Sequence, residues 1–439
     1  MPLFIIFVFY QIIQLLGAPF IFMYLFFRKF YQKKQAVFTW QRFGFIPAAP
    51  LNKKVIWLHA VSVGETLSLE YFITLIKKEI PDSICYITVG TDAAKTLALK
   101  NLPTDFISFI PYDFLPCMLI AYYRIKPHAL IVVEAEIWPN LLMLASIHKT
   151  KIYGLNARVN DRSQKNIILL RHLFTPLLNC FDAIFVQSPT DKQKFQALNI
   201  PKEKLIVLGN IKAYNVAIKK TECESTLEKK TFDNKILLAG SIHPGELDYY
   251  IEVFTKLKPI YQDLKLILAP RHFTWKAELQ KSLSYKKFNF FMWDKENSLP
   301  QRQTLNQQLA TTFEHHDVLV VSVLGELFKL YRYTDIFFLG GTFVPVGGHN
   351  LLEPAAWGVP TLIGPMHWHC KEHANALEQI NALIKVNDRS SLIRQTDKLL
   401  ADTEQINLMG QTASTWLSSE ATLVEKNLME LVRFLKKPS

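Results

Sequence analysis

Carboxylates stand at two places where the sequence predicts a turn. Glu65 ends the segment 57–65, in which an apolar run leads through Gly64 into a predicted helix. A carboxylate at this point is suited to act as a general base toward a hydroxyl group. The alternative is a structural role, because an acidic residue at a helix start stabilises the helix dipole. The residues alone leave both roles open.

The second acidic place follows another apolar run. Glu134 and Glu136 are two residues apart, so they lie on one side of an extended chain, and Pro139 then favours a helix start. Paired carboxylates are costly to bury without a partner. The pair is therefore compatible with a functional site as well as with a structural one.

Basic side chains follow further apolar runs. Lys212 is placed to neutralise developing negative charge, and Arg271 suits a phosphate or a nucleotide base. A surface arginine is the alternative for Arg271. His243, in the segment 240–246, is either a polar loop residue or a ligand contact.

A glycine-rich segment spans residues 340–355 and predicts a helix that starts near Asn350. Free N–H groups at a helix start bind phosphate, aided by the helix dipole. Glu353, one turn into this helix, is placed to accept hydrogen bonds from ribose hydroxyls. The segment therefore predicts a sugar-nucleotide site. No phosphate-binding lysine loop, zinc-protease motif or acidic metal pair is present, so we expect a metal-independent reaction with no cofactor.

The elements that position these residues are short apolar runs alternating with helical patterns. Such runs predict parallel strands in doubly wound sheets, with ligands at the carboxyl ends of the strands. They lie at 55–61, 84–89, 129–133, 151–155, 183–186 and 205–208, and then at 236–239, 264–269, 318–321, 336–339 and 360–363. The polar stretch 213–234 is the predicted linker between two domains. A length of 439 residues suits two α/β domains.

The N-terminal segment 1–27 contains no charged residue, and about 20 apolar residues suffice for a helix to cross a bilayer. Basic residues follow it at once: Arg28, Lys29, Lys33 and Lys34. The positive-inside rule then places the rest of the chain in the cytoplasm. Gln11, Gln14 and Pro19 keep an interfacial or re-entrant segment open as the alternative.

The composition limits the classes of binding partner that the protein is expected to have. A net charge of +12 favours anionic partners, but no nucleic-acid-binding motif is present, so we expect no nucleic acid. The five cysteines contain no CxxC pair, which is typical of a reduced, cytosolic set without disulfides or a zinc site.

Taken in chain order, these segments resemble the bacterial Kdo transferases, which use 3-deoxy-D-manno-oct-2-ulosonic acid. The resemblance runs from the N-terminal segment to at least Pro365. The motifs that carry it are HAVSVGE, ExExWPN, NAR (156–158) followed by RS (Arg162 and Ser163), GNIK, SxHPGE, PRH, LGEL and GGHNLLEPA.

The resemblance implies a GT-B fold of two Rossmann-like domains facing a cleft. It implies inverting transfer of Kdo from CMP-Kdo to the lipid A precursor (lipid IVA). Glu65 matches the proposed general base, and Glu134 and Lys212 match positions that stabilise the transition state, with Glu136 as a competitor. The matches to CMP-binding positions are Pro270, Arg271, Leu324, Gly325, Glu326, Asn350, Leu351, Leu352 and Glu353.

The predicted organisation is an anchor (1–30), an acceptor-binding domain (31–215) and a CMP-sugar-binding domain (235–439), whose last helix can pack back on the first domain. The expected location is the cell inner membrane, with both domains on the cytoplasmic side. One alternative is another GT-B enzyme that uses a UDP- or GDP-sugar or epimerises a sugar nucleotide. A second alternative is a non-catalytic, membrane-tethered binder of sugar nucleotides.

Overall fold

The structure is a computed structural model that describes residues 3–32, 39–159, 171–294, 299 and 303–437, without the side chains of residues 22, 26, 28–32 and 273. Four residues of the sequence predictions, Lys33, Lys34, Arg162 and Ser163, lie outside the described residues, as do the side chains of Arg28 and Lys29.

The chain divides into two compact units. Unit 1 comprises Met1–Asn215 and Glu420–Ser439, and unit 2 comprises Val216–Ser419. The C-terminal residues therefore belong to the same unit as the N-terminal half.

Unit 1 is built on a parallel seven-stranded sheet in the order β3-β2-β1-β4-β5-β6-β7. The strands are β1 (Lys54–Ala60), β2 (Ser83–Val89), β3 (Phe106–Phe109), β4 (Ala129–Val133), β5 (Lys151–Ala157), β6 (Ala183–Val186) and β7 (Leu205–Val207). Its helices are α1 (Leu3–Gln32), α2 (Val63–Ser68), α3 (Glu70–Glu79), α4 (Asp92–Asn101), α5 (Leu115–Ile125), α6 (Pro139–Ile147), α7 (Arg171–Leu178) and α8 (Pro189–Ala197).

Unit 2 repeats this plan with the order β10-β11-β9-β8-β12-β13-β14, again all parallel. The strands are β8 (Ile236–Ile242), β9 (Lys265–Pro270), β10 (Phe290–Trp293), β11 (Val318–Val321), β12 (Ile336–Leu339), β13 (Thr361–Ile363) and β14 (Leu383–Lys385). The helices are α10 (Leu247–Leu257), α11 (Lys276–Tyr285), α12 (Leu305–His315), α13 (Leu327–Leu330), α14 (Leu352–Ala356), α15 (Lys371–Gln379) and α16 (Arg389–Ala401).

Two helices run through the unit boundaries: α9 (Ile211–Glu224) and α17 (Thr403–Lys436). Helix α9 covers most of the first half of the stretch that the sequence predicts as a linker.

Strand β8 shows why these strands read as continuous apolar runs. Ile236 and Leu238 pack into one core of unit 2, and Leu237 and Ala239 pack into another. Helices cover both faces of the sheet, so consecutive residues are all buried. The described residues thus form an α/β fold with two parallel sheets, as predicted.

Candidate active site

The turn after β1 holds the Glu65 carboxylate by backbone hydrogen bonds. Ser62 caps α2: its Oγ accepts from the Glu65 N–H at 3.2 Å, and Glu65 Oε1 accepts from the Ser62 N–H at 3.2 Å. Glu65 Oε2 accepts from the Val61 N–H at 2.9 Å. Only 8% of Glu65 is exposed. The capping role is thus present, and each carboxylate oxygen keeps a lone pair for a further donor.

The second acidic segment begins where β4 ends, in an unusual backbone conformation. Glu134 and Ala135 have φ values of 55° and 53°. Left-handed non-glycine residues cost about 1–3 kcal/mol each and concentrate at functional sites. Arg158 Nε lies 3.3 Å from Glu134 Oε2, which provides the charge partner that the acidic pair requires.

Glu136, the second acid of this segment, has a raised pKa. Burial raises its pKa, and the charges of Glu65 and Glu134 raise it further, while a hydrogen bond from Trp138 Nε1 at 2.9 Å lowers it. Since β4 pairs with β1, the ends of these two strands bring the three carboxylates together. The charges of Glu65 and Glu134 both act on Glu136, so the three carboxylates form one acidic cluster.

His59 supports this cluster from the core, a role that the sequence does not indicate. Its ring lies 5.0 Å from the Trp138 ring, edge to face, and its Nδ1 is 3.3 Å from Thr88 Oγ1. Complete burial lowers the pKa of His59 to about 3, so the ring is neutral. It acts as a packing partner of the tryptophan that binds Glu136.

Lys212 is exposed near the start of α9, where its N–H donates to Asn210 Oδ1 at 3.0 Å. Within the described chain, its side chain makes no hydrogen bond or ion pair with Glu65, Glu134 or Glu136. The predicted role of Lys212 in stabilising the transition state therefore stays a prediction.

In unit 2, the predicted CMP-binding residues follow the carboxyl ends of neighbouring strands. Pro270 is the last residue of β9, and the Arg271 N–H donates to Ile242 O at 2.9 Å, which ties it to the end of β8. The Arg271 side chain is exposed. It is therefore available to an anionic ligand.

The segment after β11 is open. Leu324 is 83% exposed, and Gly325 has φ +93° with nothing within 4 Å of the position a Cβ would take. The glycine is thus required by backbone conformation rather than by a close contact. Glu326 pairs with Lys329 at 3.1 Å.

The glycine-rich loop differs from its prediction. The N–H groups of Gly341, Thr342 and Phe343 donate to the Glu246 carboxylate at 2.7, 2.9 and 2.9 Å. Glu246 is completely buried. A side chain of the protein therefore occupies the N–H groups that a phosphate would take at this part of the loop.

The helix predicted to start near Asn350 is present. Helix α14 begins at Leu352 and has five residues, and Asn350 Oδ1 accepts from the Leu352 N–H at 3.0 Å. So short a helix provides only a small dipole for a phosphate. Leu351 and Leu352 are buried, so their surfaces are closed to a ligand in this structure.

Asn350 and Glu353 do lie together. Burial raises the pKa of Glu353, while the Lys219 charge and a hydrogen bond with Asn350 lower it. The two side chains form a polar pair of the kind that binds ribose hydroxyls.

An imidazole pair adjoins this loop and was not predicted as a pair. His243 Nε2 and His349 Nε2 are 2.8 Å apart, and His272 lies 5.8 Å from His243 between ring centroids. Burial, followed by the Arg271 charge, lowers the pKa of His349 to about 4. A bound anion would oppose that effect. The pair is therefore suited to bind an anion together with Arg271.

Among the described residues, no three His, Cys, Asp or Glu side chains are grouped as a set that could hold a metal ion. All five cysteines are free, and Cys85, Cys117 and Cys370 are buried.

Comparison with known proteins shows a similarity to Kdo transferases. The family model described as 3-deoxy-D-manno-octulosonic-acid transferase (kdotransferase) matches residues 39–215. A 3-deoxy-D-manno-octulosonic acid transferase of Chlamydophila psittaci is 28% identical over 90% of this chain and 88% of its own length. The enzyme of that name from Haemophilus influenzae is 27% identical over 90% of this chain and 91% of its own.

The solved structures include a UDP-GlcNAc 2-epimerase from Neisseria meningitidis bound to UDP-GlcNAc. It covers 86% of this chain and 100% of its own length, with a TM-score of 0.55 and 13% identity, a likeness that shows the fold alone. The fold is of the predicted GT-B class. These relatives, matched over most of both lengths, are named Kdo transferases, and the chain is a glycosyltransferase similar to them.

Proposed function

We propose that this protein transfers Kdo from CMP-Kdo to the lipid A precursor (lipid IVA) in lipopolysaccharide biosynthesis, with inversion and without a metal ion. The names of the relatives support the Kdo donor. The observation that carries the proposal is the acidic cluster of unit 1, where the turn after β1 fixes Glu65 beside Glu134 and Glu136.

In this proposal, Glu65 acts on the acceptor. Its carboxylate takes the proton of a glucosamine hydroxyl as that oxygen forms a bond to the anomeric carbon of Kdo. The bond from this carbon to the phosphate oxygen breaks, and its electron pair leaves with CMP. Two backbone N–H groups orient the Glu65 carboxylate, and a general base must be held in a fixed position.

Unit 2 holds the donor. Arg271 and the His243–His349 pair bind the phosphate, and Asn350 with Glu353 binds the ribose. The exposed segment of Leu324, Gly325 and Glu326 contacts the nucleotide base, and Pro270 positions Arg271. Lys212, exposed on α9, balances charge as CMP leaves.

Helix α1 fits a membrane anchor: Leu3–Leu25 is long and apolar enough to cross a bilayer, as one candidate in the described part of the chain. We place the protein at the inner membrane, with both units in the cytoplasm. A net charge of +12 supports an anionic membrane surface and a phosphorylated acceptor.

The test is transfer by the purified protein, given CMP-Kdo and lipid A precursor in EDTA, with the product mass as readout. A gain of one or more Kdo units is expected. Activity with a UDP-sugar alone would overturn the donor assignment, and CMP binding without any product would favour the non-catalytic alternative. Activity restored only by a divalent cation would overturn metal independence.

A further inference from the structure

One face of α1 packs against unit 1 along most of the helix. Ile6 and Leu25 are only 5% and 8% exposed, and Ile6 belongs to the core of unit 1. These two residues are 19 positions apart, so they are separated by about 28 Å along the helix. A helix that leaves a domain to cross a bilayer contacts that domain at one end. Helix α1 instead lies along its unit.

Polar side chains pin the middle of α1 to unit 1. Tyr10 Oη donates to Asp113 Oδ2 at 3.0 Å, and Gln14 Nε2 donates to Asp113 O. Gln11 Nε2 donates to Asn140 Oδ1 at 2.5 Å, and Asn140 Nδ2 donates to Gln14 Oε1 at 2.9 Å. Asn140 is completely buried. These contacts explain the polar residues inside an otherwise apolar helix.

The same cluster holds the helix that follows the acidic segment. Asp113 accepts from the N–H groups of Asn140 at 3.2 Å and Leu141 at 3.1 Å, in the first turn of α6. Helix α6 begins at Pro139, three residues after Glu136. Burial raises the pKa of Asp113 to about 6, so this carboxylate is poorly solvated. The contacts of α1 are thus continuous with the support of the candidate active site.

The opposite face of α1 is apolar and exposed. Its large exposed side chains are Phe4, Ile5, Val8, Phe9, Ile12, Ile13, Leu15, Leu16, Phe20, Ile21, Met23, Tyr24 and Phe27. Contiguous apolar surface of this extent marks a protein or membrane contact. The absence of charge in residues 3–27 favours contact with lipid. The net positive charge of the chain favours a lipid surface that is anionic.

We propose that α1 is a monotopic anchor, pinned along unit 1 through Tyr10, Gln11 and Gln14, which lays its outer face in one leaflet and does not cross the bilayer. Crossing would carry Asp113 and Asn140, which bind the middle of α1, to the hydrocarbon core. Polar groups of a soluble domain are costly at that depth. The proposal replaces a crossing anchor by the interfacial alternative. It rests on the proposed membrane location but not on the donor or the reaction.

The test measures the depth of α1 in full-length protein bound to vesicles of phosphatidylethanolamine and phosphatidylglycerol. Ile5, Leu16 and Met23, exposed on one face, are replaced singly by cysteine and labelled with a fluorophore. Cys180 and Cys223, the two native cysteines that are not buried, are replaced by serine. Nitroxides at different lipid depths then quench each label.

The expected result is that all three labels lie at one depth, about 5–10 Å below the headgroup boundary of one leaflet. A spread approaching 27 Å between positions 5 and 23 would show a crossing helix and overturn the proposal. Labels quenched only from the water phase would overturn the membrane location itself, while transfer to detergent-dispersed acceptor would still report on the proposed function.

The hydrogen bonds that hold α1 on unit 1 are tested by the double variant Tyr10→Phe, Gln14→Leu, which keeps α1 apolar. Its labels at positions 5 and 23 are expected to separate in depth, and hydrogen exchange at the first turn of α6 is expected to accelerate. The matched control is Phe9→Leu, Ile13→Leu on the exposed face, for which both readouts should stay unchanged. If both variants give the same label depths and the same hydrogen exchange, the hydrogen bonds of Tyr10 and Gln14 do not hold α1 in place.

Discussion

Both units place a Gly-Glu pair in the turn after their first strand, but the glutamate has different surroundings in each unit. In each unit a Gly-Glu pair follows the first strand, β1 or β8, and the N–H three residues before the glutamate donates to its carboxylate. The Ser62 N–H reaches Glu65 Oε1 at 3.2 Å, and the His243 N–H reaches Glu246 Oε2 at 3.0 Å. The two turns thus share this hydrogen bond, although Gly64 lies in helix α2 and Gly245 has a φ of +94°.

The difference comes from the strand next to each turn. In unit 2, the loop after β12 supplies three N–H groups to Glu246, which is completely buried. In unit 1, the segment after β4 supplies Glu134 and Glu136 instead, and the charge of Glu65 raises the pKa of Glu136. The loop thus encloses the carboxylate of Glu246, whereas the proposed function assigns the carboxylate of Glu65 to the acceptor.

The largest effect that tests this contrast is expected for Glu65→Gln. An amide cannot act as a general base, so transfer should fall by about 100- to 10,000-fold. The lost capping bond should lower the free energy of unfolding by about 1 kcal/mol. The measurement is kcat for Kdo transfer, with chemical denaturation beside it.

The control for Glu65 is Thr91→Ala, which removes the cap of α4 in the same unit, where Thr91 Oγ1 accepts from the Ala94 N–H at 3.1 Å. This substitution should lower the free energy of unfolding by a similar amount and leave kcat for Kdo transfer nearly unchanged. If the Glu65→Gln variant transfers Kdo within tenfold of the rate of the unsubstituted protein, Glu65 is not a general base and only caps helix α2.

Glu246→Gln should show the reverse pattern, a large loss of stability. One of its two oxygens becomes an N–H₂ group that cannot accept from the loop, so we expect unfolding to be easier by roughly 3 kcal/mol. Denaturation monitored on unit 2 checks this, with the exposed Glu252→Gln as control. If Glu246→Gln keeps its stability and loses only transfer, the contrast between the units is wrong.

Arg271→Ala should weaken CMP binding by about 10- to 100-fold, because a charge-assisted hydrogen bond to phosphate contributes about 1.5–3 kcal/mol. Calorimetric titration with CMP measures this effect. Arg389→Ala, which removes an exposed arginine paired with Glu252, should bind CMP as the unsubstituted protein does. Equal affinities for both variants would remove Arg271 from the donor site.

The smallest effect concerns pH. The pKa of Glu136 is raised in the folded state, so its contribution to stability is present at low pH and lost as pH rises through the raised pKa. Glu136→Gln stays neutral, so its stability relative to the unsubstituted protein should improve from pH 4.5 to pH 8. Thermal unfolding at both pH values tests this.

Glu134→Gln provides the comparison, because it loses the ion pair with Arg158 and should not gain stability at pH 8. The same pH response in both variants would contradict a special environment for Glu136.

The sequence predicted the ten central strands and the edge strand β7, and missed the other three edge strands. Each of the eleven apolar runs contains a strand, and the described residues add β3, β10 and β14, all at sheet edges. An edge strand has one neighbour and more exposure: two of the four residues of β3 and of β10 are only half-buried. A signal that depends on burial on both faces therefore fails there.

The sequence predicted the positions of the candidate site residues at strand ends, but it did not predict which residues they contact. Glu65, Glu134 and Arg271 follow predicted strands, which fixes the edge of the sheet on which they lie. Glu246, in contrast, finds its N–H donors 95 to 97 positions further along the chain, and His243 meets His349 across 106 positions. Local patterns carry no information about loops that meet only once the sheet is formed.

The last helix, α17, bears on how the protein is made. Its Val424 packs against Gly209, and Asn427 Nδ2 donates to Val207 O at 2.8 Å, so unit 1 is completed by residues translated after all of unit 2. At about 5–20 residues per second, Val216–Ser419 takes the ribosome roughly 10 to 40 s. Helix α1 thus leaves the ribosome long before its own unit can close. Nascent chains therefore pass through a state in which unit 1 still lacks the part of α17 that completes it.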